Sequence, residues 1–240
     1  QDFDGFIIPH ADAHQNEFLP PNAERLAWLT GFAGSVGSAA VLAEQAAIFV
    51  DGRYTLQVRD QVDGADYAYR HSVTAPMDDW LRENLSPKAR LAFDPWLHTQ
   101  TQRERLERAV KDVGAALVPV MDNPVDAVWV NRPGEPLTPI VPHPEQFSGR
   151  SSAAKRADLA ASLGANALDA VVLTQPDSIA WLLNVRGNDV DHTPLPLSFA
   201  IAHADGRFDW FVAPEKLSDA LAQHLGSEIS IHGPDALGGE

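Results

Sequence analysis

The sequence predicts an α/β protein built from two tandem copies of one small unit, each a mixed sheet flanked by helices. Three observations predict it. Strand-like and helix-like patterns alternate along the chain, with a hairpin in each half. The order strand, helix, glycine, hairpin occurs twice. Between the two occurrences lies a stretch too rich in proline to be helix interior or central strand.

Phe6-Ile7-Ile8 is a short buried-strand signal. A polar loop from His10 to Asn22 follows, then a short helix from Glu24 to Leu29 ending near Gly31. The apolar runs Ser38 to Ala43 and Ala46 to Val50 stand so close that they must pair as a hairpin. Tyr54, Val58 and Val62 recur at i, i+4, i+8, one face of a helix. Pro76 suits the first turn of a helix running to about Leu85, and Arg90 to Phe93 reads as a strand. Thr101 and Glu104 form a capping-box pair for a helix whose buried face carries Leu106, Ala109, Val110 and Val113. Gly114 stops it, and Leu117 to Val120 is the next strand.

Pro133, Pro136, Pro139, Pro142 and Pro144 remove five backbone donors and fix five φ angles. Residues 132–149 therefore read as a semi-rigid linker between a first domain, 1–131, and a second, 150–240. After it comes a helix from Ser152 to Leu163, stopped by Gly164. Asp169-Ala-Val-Val-Leu173 then parallels Asp4-Gly-Phe-Ile-Ile8, and Ala180-Trp-Leu182 matches Ala27-Trp-Leu29. Gly187 follows Ala180 by the interval that separates Gly34 from Ala27. Ser198 to Ala202 and Phe208 to Val212 pair across an Asp205-Gly206 turn. Pro214 opens a last helix bearing Leu217, Ala220, Leu221 and Leu225 on one face, closed by Gly226. The second copy lacks counterparts of the first copy's late strands, so the second domain is expected to be incomplete. Gln1 in place of Met predicts sequence upstream.

Composition excludes several classes. The formal charge of −15, with no basic stripe, argues against nucleic acid as a direct partner. No apolar run approaches the roughly 18 residues a bilayer-spanning helix needs, and no signal peptide is visible. With no cysteine there is no disulfide framework, thiol nucleophile or thiolate metal site, which fits a cytoplasmic protein.

The chemistry-bearing clusters read mostly as loops. His10-Ala-Asp12-Ala-His14 would put three ligand types on one face of a strand, but it follows a strand end and is better read as a hydrogen-bonded loop than as a metal site. In Asp189-Val-Asp191-His192 the plainer reading is a rigid loop in which Asp189 caps amides and Arg186 pairs with a carboxylate. Asp51-Gly52-Arg53-Tyr54 stands where a strand ends and a helix begins. Arg53 there could meet a carboxylate or carbonyl, and an intramolecular ion pair is the plainer alternative. Gly31-Phe-Ala-Gly34-Ser-Val-Gly37 precedes a strand instead of following one, so it is a turn and no phosphate cradle. No Gly-x-Ser-x-Gly, His-Glu-x-x-His or Walker pattern occurs. Trp28 and Trp181, on the repeated helices, are expected in the core.

Four segments in order carry a resemblance. They are Ile7-Ile-Pro9 through Asp12-Ala-His-Gln-Asn-Glu17, Gly31-Phe-Ala-Gly-Ser35, Phe49-Val-Asp-Gly-Arg-Tyr54, and Ala180-Trp-Leu-Leu-Asn-Val-Arg-Gly-Asn-Asp-Val190. Together they resemble the N-terminal domains of three-domain Xaa-Pro aminopeptidases, or aminopeptidases P, of the creatinase/prolidase superfamily. The resemblance implies two tandem creatinase N-terminal-type domains in a cytoplasmic, homodimeric metalloaminopeptidase. Such an enzyme is a hydrolase that removes the first residue of peptides with proline second. It implies two divalent ions, usually manganese, in a C-terminal domain outside this sequence, so no catalytic or metal-ligating residue is expected here and the chain alone should be inactive. Arg53 is the one residue to which it assigns substrate binding. Arg186, Asp189 and His192 fall in a segment expected at a domain interface or at the cleft. Two alternatives stand beside it. One is a non-catalytic, histone-chaperone-like protein-binding module of the same fold, which the lack of acidic tails disfavours. The other is a prolidase- or creatinase-type hydrolase, which usually has one such domain and not two.

Overall fold

The computed structural model describes residues 2–239 and divides into two compact units, with the division between Gly134 and Glu135. In the first unit, β1 (Gly5–Pro9) is followed by α1 (Arg25–Thr30), the hairpin β2 (Ser38–Leu42) and β3 (Ala46–Val50), then α2 (Gln57–Gln61) and β4 (Tyr67–His71). Next come α3 (Met77–Asn84), β5 (Arg90–Phe93), α4 (Gln100–Asp112), β6 (Ala116–Pro119) and α5 (Pro124–Val128). Among the described residues the strands form one six-stranded sheet in the order β4-β3-β2-β1-β5-β6. β2 is antiparallel to both β1 and β3; the other pairings are parallel. The sheet is covered on both faces, as period-2 alternation in β1 requires. Phe6 and Ile8 point to the layer of Leu26, Phe32 and Val58, and Ile7 to that of Trp80, Leu81 and Leu106.

The second unit contains β7 (Val141–Pro142), α6 (Glu145–Ser148), α7 (Ser152–Ala165), β8 (Ala170–Leu173), α8 (Pro176–Leu183) and β9 (Val185–Arg186). β10 (Phe199–His203), β11 (Phe208–Phe211), α9 (Asp219–Leu225) and β12 (Ile229–His232) complete it. Its four-stranded sheet runs β12-β11-β10-β8. β10 is antiparallel to β8 and β11, and β12 is parallel to β11. This repeats β4-β3-β2-β1 strand for strand and sense for sense, so the duplication read in the sequence is also a duplication of topology. Ala200, Ala202, Phe208 and Trp210 pack beneath Ile179, Leu183 and Leu221.

Several expectations are corrected. The helix after β5 is capped two residues earlier than expected: Thr99 accepts from the Gln102 amide while Gln102 reaches back to the Thr99 amide. Gln serves at the third helical position as well as Glu does, and Thr101 lies inside the helix. Gly164 does not stop α7, which continues to Ala165 and is closed by Asn166. Pro214 opens a 3-10 turn, Pro214–Lys216, and a separate helix starts at Asp219 with Ser218 as its cap. Residues 135–149, within the stretch read as a semi-rigid linker, are part of the second unit. Ile140 is 1% exposed in the second unit's core, its amide donates to the Lys216 carbonyl (2.9 Å), and β7 pairs with β9. Proline bars the stretch from a central strand but not from a two-residue edge ladder. Trp28 and Trp181 are not core residues, being 41% and 56% exposed. Trp28 stacks on Trp129 at 5.3 Å, and Trp181 lies under the Lys155 ammonium at 4.2 Å. No helix among the described residues is long and apolar enough to cross a membrane.

Candidate functional site

Arg53 sits at a corner that the local sequence dictates. β3 ends at Val50, and the Asp51 carboxylate accepts the Arg53 amide (2.9 Å), capping the 3-10 turn Gly52–Tyr54. The same carboxylate takes the guanidinium on two atoms, Nε at 3.2 and 3.1 Å and Nη2 at 2.7 Å. Each partner supports the other's charge: the Arg53 hydrogen bonds hold the Asp51 carboxyl below its usual range, and Asp51 holds the guanidinium above its own. Arg53 also lies over the Tyr54 ring, 5.1 Å from its centroid. That ring meets Phe32 edge-on, and the Tyr54 hydroxyl shares a hydrogen bond with Ser35 Oγ (2.9 Å) and accepts one from the Ser35 amide (3.3 Å). Ser35 Oγ donates in turn to Glu17 (3.4 Å). Three segments far apart in sequence, around Glu17, Ser35 and Arg53, thus meet at one hydroxyl. The intramolecular ion pair expected as the plainer reading of Arg53 is present. The side chain nonetheless remains 60% exposed, and its Nη1 makes no hydrogen bond among the described residues.

The other candidates are fixed by internal bonds. Asp12 is 5% exposed; its carboxylate accepts from the amides of His14 and Asn16 (both 3.0 Å) and from Asn16 Nδ2 (2.8 Å). In the second unit, Asp189 is fully buried and accepts from Thr138 Oγ1, the Leu197 amide and Lys216 Nζ, each at 2.6 Å. Asp189 thus caps an amide as expected, but its charge partner is Lys216, 5% exposed and missed in the sequence because it lies 27 residues away across a strand pair. Arg186 has no carboxylate partner among the described residues; it donates to the Val185 carbonyl (2.7 Å). Gly187 abuts Pro196 so closely that a Cβ would stand 3.0 Å from it. His192 holds a left-handed φ of +59° at an exposed tip, in the turn closed by the Thr193 amide on the Val190 carbonyl (3.1 Å), a conformation His adopts more readily than most residues. Arg53 belongs to one unit, and Arg186, Asp189 and His192 to the other.

Two family profiles, both described as creatinase/prolidase N-terminal domain, match residues 1–128 and 131–239. The chain belongs to that family and carries its domain twice. The pair is of the aminopeptidase P kind. Aminopeptidase P1 of Lotus japonicus is 33% identical over 222 residues, 92% of this chain and 34% of that protein. The probable Xaa-Pro aminopeptidase P of Coccidioides posadasii is 34% identical over 231 residues, 95% of this chain and 38% of that protein. The crystal structure of X-prolyl aminopeptidase from Caenorhabditis elegans, described as a cytosolic enzyme with a dinuclear active site, superposes with a TM-score of 0.92 at 29% identity. It covers 98% of this chain and 39% of that one. The chain therefore spans a little over a third of the length of these relatives.

A dinuclear centre does not fit the residues present. No group of three or more His, Asp or Glu among the described residues is arranged to hold a metal ion. The carboxylates of the two clusters singled out in the sequence, Asp12 and Asp189, spend their lone pairs on amides, a hydroxyl and an ammonium.

Proposed function

We propose that this chain is the N-terminal two-domain part of a metal-dependent Xaa-Pro aminopeptidase, a hydrolase releasing the first residue of peptides whose second residue is proline. The observation that carries the reading is similarity running unbroken through both domains, at 33–34% identity over 92–95% of the chain. In this reading two divalent ions, manganese by resemblance, are held by another part of the protein and supply the hydrolytic chemistry. The whole protein is a cytosolic homodimer.

The role assigned to this chain is positional. Arg53 binds and orients the peptide through its exposed guanidinium edge, and it moves no proton. An arginine already immobilised loses less rotamer freedom when it binds, so its contribution falls on the productive geometry of the bound peptide. The segment of Arg186, Asp189 and His192 shapes the approach to the cleft from the second domain.

The test uses the full-length protein, manganese and an Xaa-Pro-Xaa peptide. Release of the first residue is expected, with kcat/KM lowered about tenfold or more by Arg53→Ala. Unchanged kcat/KM would remove Arg53 from the substrate. Absence of any Xaa-Pro cleavage would leave a binding module in place of an enzyme.

A further inference from the structure

The residue after β1, His10, carries a ring that is satisfied on one side only. Its side chain is 7% exposed, and Nε2 donates to the Glu17 carbonyl (3.1 Å). A carbonyl only accepts, so Nε2 keeps its hydrogen whether the ring is neutral or charged. In the neutral ring Nδ1 is then a bare acceptor. It is buried, has no hydrogen-bond partner among the described residues, and stands 4.0 Å from a Glu24 carboxylate oxygen. A buried acceptor facing a carboxylate is unfavourable. A proton on Nδ1 turns the same contact into an attraction between opposite charges.

Glu24 is the charged group that faces this ring. Its neighbour Arg25 is committed to Asp126 at 2.7 and 2.9 Å, and Asp12 to the amides of His14 and Asn16. From the start of β2 the Gly37 carbonyl accepts the His10 amide. Burial pushes the Glu24 carboxyl up, and His10 pulls it back down. Glu17 joins the ring to the Arg53 corner. Its carbonyl is held by His10, its carboxylate takes Ser35 Oγ (3.4 Å), and Ser35 holds the hydroxyl of the Tyr54 ring on which Arg53 lies.

We infer that His10 and Glu24 are a proton-controlled positioning pair for Arg53. The protonated pair fixes Glu17, and through Ser35 and Tyr54 it fixes the guanidinium. Loss of the proton leaves Nδ1 bare beside Glu24 and loosens that hold. Histidine is the side chain that changes charge between about pH 5 and 8, so the peptide contact is tightest on the acid side of that range and weakens as pH rises. By linkage a bound peptide also raises the proton affinity of the pair. This regulation rests on the substrate role proposed above for Arg53; neither member of the pair touches a reacting atom.

The test uses the full-length manganese-loaded enzyme and an Xaa-Pro-Xaa peptide, with KM and kcat measured separately at about pH 6 and about pH 8.5, on either side of the histidine range. In the wild type KM is expected to rise about fivefold across that interval. His10→Arg keeps a donor for Glu17 and a permanent charge for Glu24, and should hold KM near its low-pH value throughout. His10→Gln keeps the donor without the charge, and should hold KM near its high-pH value. Glu24→Gln offers Nδ1 an N–H and is the further variant if either folds poorly; it too should flatten the profile. On an Arg53→Ala background the His10 substitutions should no longer alter the profile. His10 variants that follow the wild-type KM profile, or that lose kcat alone, overturn the inference, and lowered kcat/KM in Arg53→Ala then spares the role of Arg53. A wild-type KM that does not rise with pH also overturns the inference. Unchanged kcat/KM in Arg53→Ala overturns that role and the inference with it.

Discussion

Replacing Lys216 by Met tests whether the Asp189 loop is held by a water-excluded charge pair. The two side chains are 5% and 0% exposed and meet at 2.6 Å, and Lys216 Nζ also donates to the Leu197 carbonyl at 3.2 Å. Methionine fills nearly the same volume, so the change removes charge and donors with little cavity. Breaking one side of a buried pair costs about 3–5 kcal/mol, because the remaining charge stays buried without a counter-charge. Asp189 keeps two donors, the Leu197 amide and Thr138, which places the expectation at the lower end, about 3 kcal/mol. For a unit of roughly a hundred residues each kcal/mol moves the melting temperature by about 4–8 °C, so calorimetry should show a fall of about 12–24 °C. Asp189→Asn on top of Lys216→Met removes the stranded charge while keeping an acceptor for Leu197, and should recover part of the loss. A fall below about 3 °C for the single variant would refute the reasoning. Water would then reach the pair, and its worth would be that of an exposed ion pair.

Four further outcomes follow. His98 is held below its usual pKa of 6.5 by burial, with Nδ1 2.9 Å from the Asp94 carbonyl. Its folded value is depressed, so the unfolded chain takes up the proton first. Stability should be full above 6.5 and fall as pH drops through the folded value, and His98→Asn should flatten that slope in pH-dependent urea titrations. Gly5→Ala would place a Cβ 2.4 Å from Leu42 Cδ2 and 2.8 Å from the Val41 carbonyl oxygen, in a strand paired on both sides. Chemical denaturation should show a loss of roughly 2 kcal/mol from overpacking. Trp28→Ala removes a stacked, half-exposed ring and should cost about 1 kcal/mol, far less than a buried tryptophan would. Tyr54→Phe keeps the ring under Arg53 but drops both Ser35 bonds. It should cost about 1 kcal/mol of stability, measured in the same way.

Periodicity and turn chemistry made most of the fold legible. β1, the β2–β3 hairpin, α3, β5, β8 and the β10–β11 hairpin all stand close to where apolar alternation and Asp205-Gly206 put them. Besides the two-residue strands β7 and β9, two strands of the main sheets escaped notice, β4 and β12, and they are equivalent members of the two copies. Each is an edge strand parallel to its single neighbour, and each mixes polar with apolar side chains, Tyr67-Ala-Tyr-Arg-His71 and Ile229-Ser-Ile-His232. Their identity is set by a pairing partner and not by their own pattern. The misplaced tryptophans have a related cause. A Trp on a short amphipathic helix looks like core, but the face it occupies depends on what packs there, and here Trp129 and Lys155 meet it at the surface. At the candidate site the corner bearing Arg53 was readable from Asp-Gly-Arg-Tyr at a strand end. Its coupling to Ser35 and Glu17 joins residues 18 or more apart in sequence and left no local signal.

The two copies also show how one corner has been put to different use. Phe49-Val50-Asp51-Gly52-Arg53-Tyr54 and Phe211-Val212-Ala213-Pro214-Glu215-Lys216 align without a gap. In both, a strand of the repeated sheet ends and a 3-10 turn follows, with Asp51 and Ala213 at the same cap position. The last residue of each turn points inward and ties the corner to the glycine loop after the repeated helix. Tyr54 does so through Ser35, one residue past Gly34, and Lys216 through Asp189, two past Gly187. The residue before it points outward in both copies, Arg53 in one and Glu215 in the other. The inward tether is therefore the architectural part of the corner, and the two copies meet it by different chemistry, a hydroxyl pair and a buried ion pair. The outward position is free of that demand. Only in the first copy does a cap carboxylate stand beside an outward cation, and Ala213 offers no such partner to Glu215. Fold requirements account for Tyr54 and Lys216, and for Asp51 as the cap of its turn, just as Asp205 accepts the amide of Arg207 and pairs with its guanidinium at the β10–β11 turn; the outward guanidinium of Arg53 is the part of the corner on which the proposed peptide contact rests.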